Sequence, residues 1–303
     1  MRLAVLDVGS NSAHLQIVEA RSHKPPLPVF RLKAPTLLAE SVTPDGALTP
    51  DGVERVVRAV ACTVEAYRQH SAKDLIPLAT ATIRDATNNA EIRRRVREAT
   101  GVELRSLSGE DEARVTFLAV RRWLAGNAGG EGLLLLDIGG MSMEIASGDG
   151  GEHPDLAVSL PIGAGLLTRR FLPEHPAARN AVERVRRHVR AAVRPVAAEL
   201  AGHPRPDRVI GTSKTFKQLA GLTGEGDHLS RRALRRWVPR LADMSPLQRA
   251  NLPGVAAARA RQLLAGAVTA VTVMEALDLR TLDVCPWALR EGLLLRRYRE
   301  LRG

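Results

Sequence analysis

Two short stretches combine a carboxylate with glycine and hydroxyl residues at the same spacing: Asp7-Val8-Gly9-Ser10-Asn11-Ser12, and Asp137-Ile138-Gly139-Gly140-Met141-Ser142. Small residues let backbone N–H groups approach an anion, and hydroxyls add donors, so such a turn can hold a phosphate. On its own, Asp-x-Gly-Ser before an extended segment also reads as a simple turn. The recurrence shifts that balance. Asp7 aligns with Asp137, Gly9 with Gly139 and Ser12 with Ser142, without a gap. The second copy is followed by Glu144, and two carboxylates beside a phosphate site suit Mg²⁺, which takes one or two carboxylates plus phosphate oxygens and water. The bland alternative is an acidic turn and a solvated strand residue.

Three further clusters hold candidate chemistry. Ser108-Gly109-Glu110-Asp111-Glu112-Ala113-Arg114 opens a helical pattern. Ser108 can cap it and acidic residues suit its first turn, but three carboxylates exceed the capping need and one could activate water as a general base. Thr80-Ala81-Thr82-Ile83-Arg84 and Gly211-Thr212-Ser213-Lys214-Thr215 each follow an apolar strand pattern and join hydroxyls to a cation. Hydroxyls there can be plain helix caps; a cation in the same loop suits phosphate better.

The elements that must position these residues follow from patterning. Leu3 to Leu6 and Leu133 to Leu136 are apolar runs that end at the turns, so each copy reads as strand, turn and second strand. A helix opened by Thr49 and Pro50, a strand over 75–79, a helix over 89–100 and a strand over 102–107 follow the first hairpin. An extended segment over 156–160, a helix over 181–202 and a strand at 208–210 follow the second. The tail reads as a helix over 257–277, a strand over 281–285 and a helix from Pro286 onward. Alternating strands and helices predict an α/β chain with a mixed sheet in each of two lobes. The small-residue stretch 125–130 predicts the boundary, giving lobes 1–125 and 126–303.

Composition sets the limits. The chain has 303 residues, 45% of them hydrophobic, and a net charge of +11 carried almost wholly by arginine. That charge fits solvated helix faces or a field that gathers polyanions. Only nine aromatics are present and none interleave with arginines as stacking platforms, so nucleic acid is not expected as a partner. No apolar run approaches the roughly 18 residues of a membrane span. Asp7 stands where a signal peptide needs its apolar core, which predicts a cytoplasmic protein. Cys62 and Cys285 both read as buried thiols.

The ordered motifs resemble the exopolyphosphatase and guanosine-pentaphosphate phosphohydrolase (Ppx/GppA) family from end to end. They are Asp7 to Ser12, Ala81-Thr82-Ile83-Arg84-Asp85-Ala86-Thr87-Asn88, Ser108 to Arg114, Asp137 to Gly140, and Leu289-Arg290-Glu291-Gly292. Cys285 to Gly292 together with Thr212 to Phe216 are most similar to its short actinobacterial branch. The resemblance implies two actin-like (ribonuclease H-like) lobes with a cleft between them and a phosphoanhydride hydrolase. It implies Glu112 as catalytic base, Asp137 and Glu144 as the Mg²⁺ site, and phosphate binding by Gly9, Ser10, Asn11, Ser12, Arg84, Gly139, Gly140 and Ser142. Asp7 in the first turn, and Ser213 and Lys214 in the loop after the strand at 208–210, are the phosphate-binding candidates that residue type and position add. The substrate would be polyphosphate, with short chains preferred, or a polyphosphorylated nucleotide such as guanosine pentaphosphate; a second copy of the chain is the protein partner considered. A kinase-like phosphotransferase and a non-catalytic polyphosphate or alarmone sensor are the alternatives. Met141 and Met143 depart from the family pattern, and Met141 in place of glycine predicts a second loop that is either mildly strained or shifted away from the phosphate, with weakened activity in both cases. Lys214 also stands where most of the family has glycine.

Overall fold

The computed structural model describes residues 1–19, 27–38, 41–125 and 132–302. The chain divides into two compact units, Met1–Ala119 with Leu289–Gly303, and Val120–Ala288. The elements of the first are β1 (Arg2–Val8), β2 (Ser12–Glu19), β3 (Leu27–Pro35), α1 (Pro50–Arg68), β4 (Asp74–Ala79), α2 (Ala81–Arg84), α3 (Asn89–Thr100) and most of α4 (Gly109–Leu124). The second holds β5 (Gly132–Ile138), β6 (Met143–Asp149), β7 (Leu156–Leu160), α5 (Ala164–Phe171), α6 (Arg179–Leu200), β8 (Arg208–Thr212) and α7 (Ser213–Thr223). It continues through β9 (His228–Ser230), α8 (Arg231–Asp243), α9 (Pro246–Ala250), a 3-10 turn (Ala257–Gln262), α10 (Leu263–Ala276) and β10 (Thr281–Val284), after which α11 (Leu289–Glu300) rejoins the first unit.

The two sheets share one plan. The first runs β3-β2-β1-β4 and the second β7-β6-β5-β8-β10-β9. In each, an antiparallel hairpin (β1–β2, β5–β6) carries a third antiparallel strand on one side and a parallel strand on the other. This is the mixed α/β, actin-like arrangement, present twice. In the second unit β10 adds a further parallel strand beside β8. The first has only a bridge at the matching place, Leu78 with Arg105, so the strand expected over 102–107 is absent. Arg105 donates to the Pro77 carbonyl and receives from Ala79 N–H. Extending the ladder one rung would need an N–H at Pro77, which proline lacks.

Helix α1 shows how local sequence sets these elements. The Thr49 side chain caps it by accepting from Gly52 N–H at 3.2 Å, and Pro50 occupies its first position. Val53, Val56, Val60 and Val64 bury one face at helical spacing, and that face packs on Leu6 and Val8 of β1. Cys62 falls on the opposite side and is exposed, so the expectation of two buried thiols holds only for Cys285. Buried on every side, α10 is the core helix of the second unit, with Leu263 to Met274 all shielded. The helix expected over 257–277 begins as the 3-10 turn. Among the described residues, no helix is long and apolar enough to cross a membrane.

The division differs from the expected 1–125 and 126–303 at both ends. Stretch 126–130 lies outside the described residues, and the units part within α4. The last helix packs on the first unit because β1 is apolar on both faces: Leu6 and Val8 meet α1, while Leu3 and Val5 are covered by Leu293 and Leu294. Contact is so close that a Cβ on Gly292 would lie 2.1 Å from the Val115 carbonyl oxygen. Only glycine fits there.

Candidate active site

Each hairpin ends in a turn whose carbonyls point into the protein. In the first, Gly9 N–H donates to Ser12 O at 3.1 Å. The connection after β3 then occupies the turn's carbonyls. The Thr36 hydroxyl donates to Gly9 O at 2.8 Å, Leu38 N–H to Ser10 O at 2.7 Å and Thr36 N–H to Asn11 O at 3.1 Å. The second turn is built alike. Gly139 N–H donates to Ser142 O at 2.9 Å, while Ala164, Leu166 and Gly163 donate to Gly139, Gly140 and Met141 O at 2.9, 2.9 and 3.0 Å. Among the described residues, no backbone carbonyl accepts from the N–H of Ser10, Asn11, Gly140 or Met141. A turn with its carbonyls engaged and its N–H groups unspent is suited to an anion.

Met141 does not strain this turn. It does not have a positive φ, and neither Gly139 nor Gly140 does. The expected cost of a side chain at a left-handed position is therefore absent. Met143 is fully buried in the core beneath the turn. The residue that does adopt positive φ is Ser213, at 77°, where β8 passes into α7. A non-glycine residue held there costs of order 1–3 kcal/mol and marks a constrained loop. Gly163 is the glycine this turn depends on, since its Cβ would lie 2.4 Å from Met141 C and 2.5 Å from Ser142 N.

Asp137 and Glu144 face each other directly in the β5–β6 register. Asp137 Oδ2 accepts from the Thr212 hydroxyl at 2.6 Å, and Glu144 Oε1 from the Ser159 hydroxyl at 2.8 Å. Two carboxylates on one strand pair, each oriented by a hydroxyl, fit what Mg²⁺ takes from a protein when phosphate supplies the remaining oxygens. No group of three or more His, Cys, Asp or Glu suited to a metal occurs among the described residues. Thr215 ties α7 to the same place by donating to Ile138 O at 2.9 Å, which sets Ser213 and the exposed Lys214 beside Asp137.

Glu112 is buried, 6% exposed, in the first turn of α4, where Ser108 accepts from Asp111 N–H at 3.0 Å. Its Oε1 accepts from Arg84 Nη1 at 2.6 Å. The same guanidinium donates to Leu107 O at 3.2 Å and to both oxygens of Asp85, at 2.7 and 2.9 Å. Arg84, expected to contact phosphate, thus holds the carboxylate of Glu112; its fork is shared among carboxylate and carbonyl oxygens of its own unit.

Sequence reasoning missed the residues that orient the site. Thr212 and Ser159 hold the carboxylate pair, Thr36 supports the first turn, and His14 and Arg290 flank Asp7. His14 lies opposite Asp7 in the β1–β2 register, its ring touched by Arg290 through Nδ1. Burial first, then Arg290, Lys33 and Arg31, lower its pKa to about 3. Thr212 stood inside a noticed motif; pairing across strands 75 residues apart left no local signal for its role. The cavities of about 510 and 600 Å³ found one in each unit take in none of the turn or carboxylate residues.

The Ppx/GppA phosphatase family matches residues 16–300. The chain is similar to exopolyphosphatase 1 of Mycobacterium tuberculosis, 42% identical over 98% of this chain and 88% of that one. It is also similar to the Mycobacterium leprae protein of the same name, 39% identical over 98% of this chain and 89% of that one. Among solved structures, the Aquifex aeolicus Ppx/GppA protein superposes with TM-score 0.82 at 25% identity, over 100% of this chain and 99% of that chain. An exopolyphosphatase from Cytophaga hutchinsonii, at TM-score 0.86 and 20% identity over 98% and 97%, shares the fold. With the duplicated hairpin turns, the matched length and these relatives taken together, the chain belongs to the Ppx/GppA phosphatase family.

Proposed function

We propose that this chain releases terminal phosphate from inorganic polyphosphate by direct attack of water. The observation that carries the reading is the pair of turns with inward carbonyls and unspent N–H groups. Glu112 takes a proton from the attacking water as the oxygen bonds to the terminal phosphorus. The bond from that phosphorus to the bridging oxygen breaks, and the products are orthophosphate and a chain one unit shorter. Arg84 fixes one oxygen of Glu112, so the base is held in place. Backbone N–H groups of Ser10, Asn11, Gly140 and Met141, with the side chains of Ser12, Ser142, Ser213 and Lys214, bind phosphate oxygens. Asp137 and Glu144 would hold Mg²⁺, which when bound neutralises charge on phosphate oxygens. Positioning and electrostatics supply most of the barrier reduction in such transfers, and a general base adds about 10²–10⁴-fold.

Phosphate release from polyphosphates of several lengths and from guanosine pentaphosphate, across a Mg²⁺ titration, tests this. Release from polyphosphate that depends on the metal supports it, and no release from any condensed phosphate ends it. Guanosine pentaphosphate as the better substrate would move the chain to the family's other activity. Met141 is the feature that favours the sensor reading, and the absence of positive φ there removes the strain part of that support.

A further inference from the structure

The two hairpins differ at one matched position. Asp137 faces Glu144 across β5–β6, whereas Asp7 faces His14 across β1–β2. Beside the first pair stands a guanidinium: Arg290 of α11 contacts His14 Nδ1 through Nη1 and lies 3.8 Å from Asp7 Oδ2. Since an arginine only donates, Nδ1 is an acceptor and the ring is neutral, in keeping with its lowered pKa. One carboxylate, a neutral ring and a guanidinium thus stand where the second hairpin has two carboxylates. Neither Nε nor Nη2 of Arg290 meets a hydrogen-bond acceptor among the described residues, and the side chain is 27% exposed. A partly exposed planar fork with unspent donors, anchored on the hairpin that carries the first turn, suits a phosphate oxygen.

We propose that Arg290 is a substrate-binding residue, a built-in cation that takes a phosphate oxygen at the first turn where the second hairpin takes Mg²⁺. It rests on the proposed polyphosphate reading for the substrate and on the hairpin match for the position. His14 acts as a positioning residue that accepts from Arg290 and aims it. The sequence pattern hid this, because 276 residues separate the contacting side chains.

Arg290→Met, Arg290→Lys and His14→Gln are assayed with tripolyphosphate, measuring KM, kcat, the Mg²⁺ concentration at half-activity and the melting temperature. Loss of a charge-assisted contact predicts a KM for Arg290→Met raised about ten- to a hundredfold, with the metal titration unchanged. Arg290→Lys recovers part of that loss, since an ammonium keeps the charge but not the fork. His14→Gln raises KM less than Arg290→Met does. A parental KM in Arg290→Met overturns the proposal, as does a fall in kcat alone that follows the melting temperature. If the parent protein hydrolyses no condensed phosphate, the functional reading is what fails. Calorimetric binding of tripolyphosphate without metal then still decides Arg290: parental affinity in Arg290→Met removes it, and lost affinity retains it.

Discussion

The first and second units build the same turn on the same strand order and equip it differently. On β5–β6 the matched positions are two carboxylates steadied by Thr212 and Ser159; on β1–β2 they are a carboxylate and a neutral histidine beside Arg290. The acid of the first unit sits elsewhere, at Glu112 under Arg84. The two copies thus share a backbone plan and differ in side chains, and on the proposed function that difference would give cation holding to one copy and proton transfer to the other. What the two turns share is the direction of their carbonyls, and what separates them is side-chain identity.

The sharpest way to break this comparison is to neutralise one acid in each unit. Glu112→Gln should lower kcat by about 10²-fold or more while tripolyphosphate still binds. Asp137→Asn should lower activity and also shift the Mg²⁺ titration to higher concentration. If both variants respond to metal alike, the division of labour between the units is wrong.

A second test asks whether the carbonyl arrangement matters as much as the side chains. Gly163→Ala places a methyl against the backbone of Met141 and Ser142, so the second turn must move. Overpacking of this kind costs roughly 1–3 kcal/mol, and KM for tripolyphosphate should rise with it. Unchanged KM and melting temperature would show that the turn is not held from behind.

The histidine of the first hairpin gives a smaller, pH-dependent effect. Folding lowers its pKa from the ordinary 6.5 to about 3, so the unfolded chain binds the extra proton first. Its share of stability is whole above about pH 6.5, declines as pH falls toward 3 and is gone below that. Denaturant midpoints at pH 7 and pH 4.5 should differ less in His14→Gln than in the parent; an equal difference in both would contradict the burial of a neutral ring. Smallest of all, Met141→Gly should change kcat/KM by less than about threefold, because no left-handed strain is there to relieve. A tenfold gain would restore the strained-loop view.

Much of this was legible in the residues. The repeat from Leu3 and from Leu133 gave both hairpins and put Asp137 and Glu144 on adjoining strands; that they face each other directly is seen in the strand register. Thr49 and Pro50 placed α1 because its cap is a local interaction. What escaped was non-local. The contact of Arg84 with Glu112 left no local signal, because it depends on how residues 28 apart come together. The reduced fifth strand turned on the one missing N–H of Pro77. Met141 was misjudged because glycine in a motif was equated with positive φ, whereas this turn has none at that position.

The return of α11 to the first unit has a consequence for the order of synthesis. A ribosome delivers β1 early and the helix that covers Leu3 and Val5 last, after the whole of the second unit. Until Leu293 and Leu294 emerge, the face of the first sheet that carries Leu3 and Val5 has Val115 beside it but lacks the rest of its native cover, and the second unit can complete its core first. Gly292 then sets the tolerance of the final docking step, since any larger residue meets the Val115 carbonyl. Quality control by chaperones and proteases would thus weigh most on mutations in the last dozen residues of α11, far in sequence from the sheet they protect.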